Sequence, residues 1–339
     1  MAVHVVYSSS DYYSQCTGIS ILSLLENNKD INELHLYILD TDITNINKDK
    51  IIEIARSYKR SIKFIPAQEQ FDENVNKLKL SYLRGSYNTY ARIMLNAWFD
   101  FLDKILLIDS DTLIIGSIKE LWETDLSGKL LAAVPEIAVY AKNSLFEDPD
   151  IVNGCDYYYN MGVVLCNLKQ WRDDEIDSFL ESKVQEYKKD FYIADQSILN
   201  YALNDRIERL HLRYNYYTAM HGVPYRTMEK TFSMKKIFSE REFFEAREKP
   251  VIIHFVGHPF ERPWFKRSTS QYKLLYQSYR KKTPWKDENL LFSPAPKNLI
   301  FRVYDYLTYI ILKCRMYSFA HWFRYILGQR IKKISKQKR

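Results

Sequence analysis

Glycine is scarce in this 339-residue chain: there are nine, no two closer than eight positions. That spacing excludes the GxGxxG turn of dinucleotide-binding folds and the GxxxxGK[ST] phosphate loop. Both need clustered glycines to bring backbone N–H groups up to phosphate. Cysteine is equally sparse. Cys16, Cys155, Cys166 and Cys314 lie far apart with no metal-type pairing, so they read as reduced thiols of a cytosolic protein and not as a disulfide frame. The opening "MAVHVVYSSSDYYSQC" lacks a basic stretch and a long apolar core, so no signal peptide is expected. Internal repeats and low-complexity segments are absent as well.

The charge is unevenly placed. Of 49 Lys and Arg and 42 Asp and Glu, residues 296–339 hold 11 bases and one acid, Asp305. Residues 1–295 therefore carry 38 bases and 41 acids, a net of −3, against +10 for the tail. The basic balance of the whole chain thus describes the tail's partner and says nothing of the body's.

Strand-like and helix-like segments alternate through the first hundred residues. "VHVVYSSS", "LHLYILD", "SIKFIPA" and "KILLID" read as strands; "TGISILSLLENN", "DKIIEIARSYK" and "TYARIMLNAWF" read as helices. Such alternation predicts βαβ units and a mostly parallel sheet covered on both faces, with ligands at the carboxyl ends of the strands. Farther on, "SIKE" (117–120) has a capping-box pattern. "KLLAAVPE" and "MGVVLCNL" read as buried strands, "DDEIDSFLESKVQEYKK" and "DQSILNYALN" as helices, and "VIIH" as a last strand. The spacing predicts a single α/β domain over 1–285, a linker at 286–298 and an amphipathic basic tail over 299–339.

Within "KILLIDSDTLIIGSIKELW" (104–122) an apolar run meets two acids, Asp109 and Asp111. Carboxylates beside a buried strand are costly unless something there needs negative charge. On extended backbone, residues two apart share a face, so both would aim at one ion. A divalent metal on carboxylates is the substitute for a missing glycine loop in neutralising phosphate. His254, after another apolar run, would complete an Asp/Asp/His set at strand ends of one sheet, a mixed O and N donor set suited to Mn²⁺. The plainer readings are turn and cap residues for the acids and a buried, hydrogen-bonded histidine.

Six ordered motifs, "SSSDYY", "NTYARI" (88–93), "LLIDSDTLI" (106–114), "YYNMGVVLCNLKQWR" (158–172), "ADQSILN" (194–200) and "IIHFVGHPFERPW" (252–264), carry a resemblance. Over about residues 3–275 the chain resembles glycosyltransferase family 8. The resemblance implies a single GT-A type (Rossmann-like) mixed, mostly parallel sheet flanked by helices. It also implies a UDP-sugar donor, Mn²⁺ (or Mg²⁺), and transfer of a hexose with retention of anomeric configuration to a glycan or lipid-linked acceptor. By position, Asp109, Asp111 and His254 would hold the metal. Ser8, Asp11 and Tyr13 would hold uridine, and Arg92 and Ser110 would lie beside the donor. Asn160, Met161 and Gly162 would line the sugar pocket, Asp195 and Gln196 would be catalytic, and Gly257 and Arg262 would take the diphosphate.

Four positions depart from the family pattern. Ser10 replaces a frequent acid, Tyr12 a frequent amide and Glu136 a frequent sugar-binding Asp, while Arg262 stands in for Lys after a longer spacer. Asp195 also reads as an N-cap. The tail mixes aromatic, aliphatic and basic residues, and its uncharged runs, such as 306–312, fall far short of the roughly 20 residues of a bilayer span. It suits helices lying on an anionic membrane surface, at the inner face of the cell envelope and without part in the chemical step. No nucleic-acid motif accompanies it. The rival functions are an inactive relative acting as a binding partner and a nucleotidyltransferase.

Overall fold

The computed structural model describes residues 2–80, 88–141, 149–187, 189, 191–293 and 298–324. Its strands are β1 (Ala2–Ser9), β2 (Glu33–Asp40), β3 (Ile62–Pro66), β4 (Lys104–Ile108), β5 (Thr112–Ile114), β6 (Leu131–Pro135), β7 (Tyr159–Asn167), β8 (Ile207–Arg209), β9 (Tyr216–Tyr217) and β10 (Ile252–His254). Seven form a sheet in the order β3-β2-β1-β4-β7-β6-β8, and β5, β10 and β9 form a second, small sheet. In the large sheet β7 runs antiparallel to both β4 and β6, and the other pairings are parallel. The expected mixed, mostly parallel sheet flanked by helices is therefore what the chain builds.

The apolar runs follow from burial on both faces. In β4, Leu106 and Ile108 join one core cluster and Ile105 and Leu107 the other, so successive side chains feed opposite layers. The helix Ser14–Asn27 covers one face, with Ile19, Ile21, Leu22, Leu24 and Leu25 buried. On the other face lie Leu168, Trp171, Ile198 and Leu199.

Three local expectations change. "TYARIMLNAWF" splits into a 3₁₀ turn, Asn88–Ile93, and a short helix, Leu95–Phe99. The Arg92 amide donates to Asp195 Oδ2 at 3.4 Å, and this side-chain acceptor replaces a carbonyl of a continuing helix. The "SIKE" capping box does not form. The helix Lys119–Trp122 has Ile118 at its N-cap, and Asn28 Oδ1 accepts from the Ile118 amide at 2.8 Å instead. His254 belongs to the small sheet and not to the large one.

The predicted linker is partly tied down. The Lys266 amide donates to the Leu291 carbonyl at 2.8 Å, and Trp285 is 2% exposed. The tail then returns to the body as two helices, Leu299–Lys313 and Tyr317–Trp322. Leu312 and Ala320 pack on Phe260, in the loop after β10. His258 Nε2 lies 3.0 Å from Asp305 Oδ1, and Arg324 reaches Glu261 at 2.6 Å. The opposite face leaves Leu299, Ile300, Val303, Tyr306 and Leu307 exposed. Residues 325–339 and Lys297, with seven of the tail's eleven bases, lie outside the described residues. The tail's helices thus brace a loop that is predicted to hold phosphate.

Candidate active site

In the large sheet, β1 lies between β2 and β4, so the chain order reverses at the β1–β4 junction. At such a switch point the connections diverge and leave a crevice at the carboxyl ends of the strands. Ser8 ends β1 there and Asp109 follows β4. Ser110 closes the junction: its hydroxyl donates to the Ser8 carbonyl at 3.0 Å and accepts from Thr17 Oγ1 at 2.8 Å. Its side chain is thus spent on the fold and not offered to a donor.

Asp109 and Asp111 occupy a turn between β4 and β5 and not an extended segment. Thr112 Oγ1 tightens that turn by donating to the Asp109 carbonyl at 2.8 Å. The acids still meet, because the turn folds them together. His254 comes from 143 residues away by strand pairing: it sits opposite Thr112 in the β10–β5 ladder, and the Phe255 amide donates to the Asp111 carbonyl at 2.9 Å. His254 Nε2 lies 3.1 Å from Asp111 Oδ1 and 3.7 Å from Asp109 Oδ2. One ligand atom from each residue falls within 4.8 Å of the other two. Two carboxylate oxygens and an imidazole nitrogen at that spacing fit a hard or borderline divalent ion.

Arg92 balances the charge. Its guanidinium reaches Asp195 Oδ2 at 3.0 Å and also pairs with Asp109 Oδ1. Burial alone would lower the Arg92 pKa, but the Asp109 and Asp195 carboxylates outweigh it and keep the group charged. Asp195 itself is pushed up by burial, which exceeds the opposing pull of Arg92. Asp195 is not an N-cap. Ile193 holds that position of the helix Ala194–Leu203, and Ala194 takes a left-handed φ of 45°. Such a conformation is costly for a residue with a Cβ and marks a site held in place by its surroundings. Beside it, Gln196 Oε1 accepts from the Met161 amide at 3.0 Å, which ties the helix Ala194–Leu203 to the predicted sugar pocket on β7.

Arg262 follows a 3₁₀ turn, Pro259–Glu261, that absorbs the longer spacer. Burial would lower its pKa; the facing Asp111 and a hydrogen bond to the Tyr13 hydroxyl raise it instead. Arg262 therefore faces Asp111 and lies beside Tyr13, one of the residues predicted to hold uridine. Gly257 has φ 123°, which only glycine adopts easily, and a Cβ there would lie 2.7 Å from Glu261 Oε2. Asp11 is less available than expected: its Oδ1 accepts from the Thr44 amide, the Thr44 hydroxyl and Asn47 Nδ2, at 2.7 to 2.8 Å. It ties the turn after β1 to the start of the helix Asn45–Ser57. Three buried polar atoms of this region, Ser8 Oγ, Arg92 Nε and Arg262 Nε, have no partner among the described residues. A cavity of about 800 Å³ at the ends of β2 and β3 is lined by Asp40, Asp42, Glu69 and Glu73, and its acids do not suit a diphosphate.

The sequence did not single out Asn215, fully buried, whose Oδ1 lies 2.9 Å from His254 Nδ1. Nothing in "RYNYY" separates it from an ordinary turn residue.

The family model for glycosyl transferase family 8 matches residues 4–268. The chain belongs to glycosyltransferase family 8. It is 29% identical over 214 residues to a putative glycosyltransferase of Haemophilus influenzae, covering 63% of each chain. It is 26% identical to the lipopolysaccharide 1,2-glucosyltransferase of Escherichia coli, over 85% of this chain and 80% of the relative. Its fold superposes with a TM-score of 0.67 on the galactosyltransferase LgtC, solved with donor and acceptor sugar analogues, at 21% identity over 88% of this chain and all of the other. The chain spans less than two thirds of the length of the H. influenzae relative.

Two predictions follow from this geometry. A Cβ at Gly162 would lie 2.3 Å from His254 Cε1 and 2.7 Å from Nδ1, so Gly162→Ala must displace the imidazole. We expect roughly 10–100-fold weaker Mn²⁺ binding, with an unchanged far-UV circular dichroism spectrum; unaltered affinity would show that His254 is not a ligand. The second concerns pH. Burial lowers the His254 pKa, but the Asp111 carboxylate outweighs it, so the imidazole keeps its proton above its ordinary range. A metal needs the neutral ring and must displace that proton. Mn²⁺ affinity, followed by electron paramagnetic resonance, should therefore rise with pH through neutrality and level off once His254 is neutral. A flat profile contradicts the assignment.

Proposed function

We propose that this protein moves a hexose, with retention, from a UDP-sugar to a glycan or lipid-linked acceptor in the synthesis of a surface polysaccharide, using Mn²⁺ (or Mg²⁺). The observation that carries the proposal is the meeting of Asp109, Asp111 and His254 ligand atoms within 4.8 Å, beneath a buried arginine, in a family 8 glycosyltransferase. A divalent ion at that set supplies Lewis-acid stabilisation of the departing diphosphate. The rest is the work of the chain's own residues. Arg262 is placed to add a charge-assisted donor to the leaving group, with Tyr13 positioned against the uracil. Arg92 lies beside the donor, and Asn160, Met161 and Gly162 line the sugar pocket. Asp195 is clasped by Arg92 through both its amide and its guanidinium, which lowers its nucleophilicity. That favours attack on the face UDP leaves, with Gln196 orienting the reacting carbon.

The intact ligand set argues against an inactive binding partner, and family membership argues against a nucleotidyltransferase. Hydrolysis of UDP-glucose, UDP-galactose and their N-acetyl forms, with and without Mn²⁺, identifies the donor. Asp111→Asn should reduce metal-dependent turnover to background while the melting temperature stays within a few degrees of wild type. Near wild-type turnover in that variant would overturn the metal reading.

We also assign the tail to an anionic membrane surface at the inner face of the envelope. Among the described residues no helix is long and apolar enough to cross a membrane. The outward faces of the two tail helices nonetheless expose Ile300, Val303, Tyr306, Phe319 and Trp322 beside a net charge of +10. Each base near an anionic leaflet contributes about 1 kcal/mol, so engagement of half of them is worth roughly 5 kcal/mol. The attraction should fade with salt. A chain ending at Ser293 is expected to lose sedimentation with phosphatidylserine liposomes and, because it also loses Asp305 and Arg324, to show a raised KM for donor. Full-length protein that ignores such liposomes at low salt would refute the assignment.

A further inference from the structure

A chain of four side chains crosses from the predicted sugar pocket to the metal centre and from one sheet to the other. Glu136, just after β6, accepts from the Ile137 and Ala138 amides with Oε1 at 2.8 and 2.9 Å. Its Oε2 accepts from Asn160 Nδ2 at 2.7 Å. Asn160 Oδ1 accepts from the Gly162 amide at 2.9 Å and from Asn215 Nδ2 at 2.8 Å. Asn215 Oδ1 faces His254 Nδ1 at 2.9 Å. Asn160, Asn215 and His254 are 6%, 0% and 3% exposed, so water does not compete for these contacts.

The direction of this chain is fixed and not a matter of choice. The two atoms of a side-chain amide are interchangeable in shape but not in role, since one only donates and the other only accepts. A backbone N–H can only donate, so the Gly162 amide forces Asn160 to turn its oxygen inward. Glu136, whose two oxygens both receive N–H groups, forces the Asn160 nitrogen outward. The two anchors act independently and agree. Asn215 must then offer its nitrogen to Asn160 and its oxygen to His254. An imidazole nitrogen facing a carbonyl oxygen must carry hydrogen. We infer that Asn215, oriented by Glu136 and Asn160, is a positioning residue that holds His254 with hydrogen on Nδ1 and so leaves the Nε2 lone pair for a divalent metal between Asp109 and Asp111. This rests on the metal reading of those three residues and explains how the histidine is made ready for it. Partners of this kind around a metal ligand are worth about 10–100-fold in affinity.

The test needs no turnover. In metal-free Asp111→Ala protein labelled with ¹⁵N-histidine, which lacks the carboxylate that otherwise competes for a hydrogen on Nε2, the imidazole shifts of His254, assigned by their loss in His254→Gln, report the tautomer once the ring is neutral. With Asn215 present the ring should show hydrogen on Nδ1; hydrogen on Nε2 overturns the inference outright. Asn215→Leu, which removes the acceptor, should populate the other tautomer and weaken Mn²⁺ binding roughly 10–100-fold. Asn215→Asp keeps an oxygen facing Nδ1 and should retain the tautomer, although its second oxygen meets Asn160 Oδ1 where Asn215 donates, so its melting temperature should fall. A merely structural asparagine would lower the melting temperature in both variants and leave the tautomer unmoved in Asn215→Leu, which would refute the proposal. Mn²⁺ titration of Asp111→Asn separates the two failures. Unchanged affinity there sinks the metal reading, whereas lost affinity there with intact affinity in Asn215→Leu sinks only the positioning role.

Discussion

Everything in this site depends on keeping two carboxylates at the end of a strand that is buried on both faces. Asp109 and Asp111 would repel each other, and unpaired charge in such a place is expensive. The protein answers from two sides. Arg92 reaches Asp109 from a 3₁₀ turn on the helix-covered flank, and His254 reaches Asp111 from the small sheet. Burial would raise the Asp111 pKa, but His254 outweighs it and holds the carboxyl below its usual range. A centre assembled in this way is stable without an ion, because each acid already has a positive neighbour.

That requirement also accounts for the second sheet. The large sheet alone can supply the acids, but its strands diverge at the switch point and cannot place a third ligand opposite them. The turn at 109–111 redirects the chain into β5, which pairs with β10 and closes a loop of over a hundred residues onto the acids. The three antiparallel register pairs of β5 and β10 therefore bring a fixed set of polar groups to one place without clustered glycines. Two of the glycines stand where space is short: Gly162 under the His254 ring and Gly257 under the Glu261 carboxylate.

The parts legible in the sequence were those with a strong local signal. The alternation of apolar strands and amphipathic helices gave the sheet, since burial on both faces leaves continuous apolar runs in β4 and β7. The acids after "KILLI" were readable because charge at that point is anomalous. What escaped reading depends on contacts distant in sequence. The extended geometry assumed for Asp109 and Asp111 is a turn, because Thr112 and Ser110 bind neighbouring carbonyls. Asp11 has the look of a ligand residue, yet Thr44 and Asn47 claim its Oδ1. Asn215 is one amide among aromatic residues, and its role exists only through partners on three other segments. The helix at 119–122 borrows its N-terminal support from Asn28, some ninety residues away.

The loop after β10 shows how far these constraints extend. His254 anchors its start beside Asp109 and Asp111, and Trp264, 1% exposed, anchors its end in the core. Between them the 3₁₀ turn at Pro259–Glu261 would be free to move were it supported only by itself, since short turns of this kind have few internal bonds. Its support is reciprocal. Glu261 takes the His258 amide at 2.8 Å, which closes the turn, and the same carboxylate takes Arg324 from the tail. His258 in turn meets Asp305, the tail's sole acid, and the His258 ring stacks on Phe260 at 5.0 Å. Arg262 leaves this turn directly. The position of the guanidinium facing Asp111 is thus set on one side by strand pairing and on the other by helices that also present an apolar, basic surface outward.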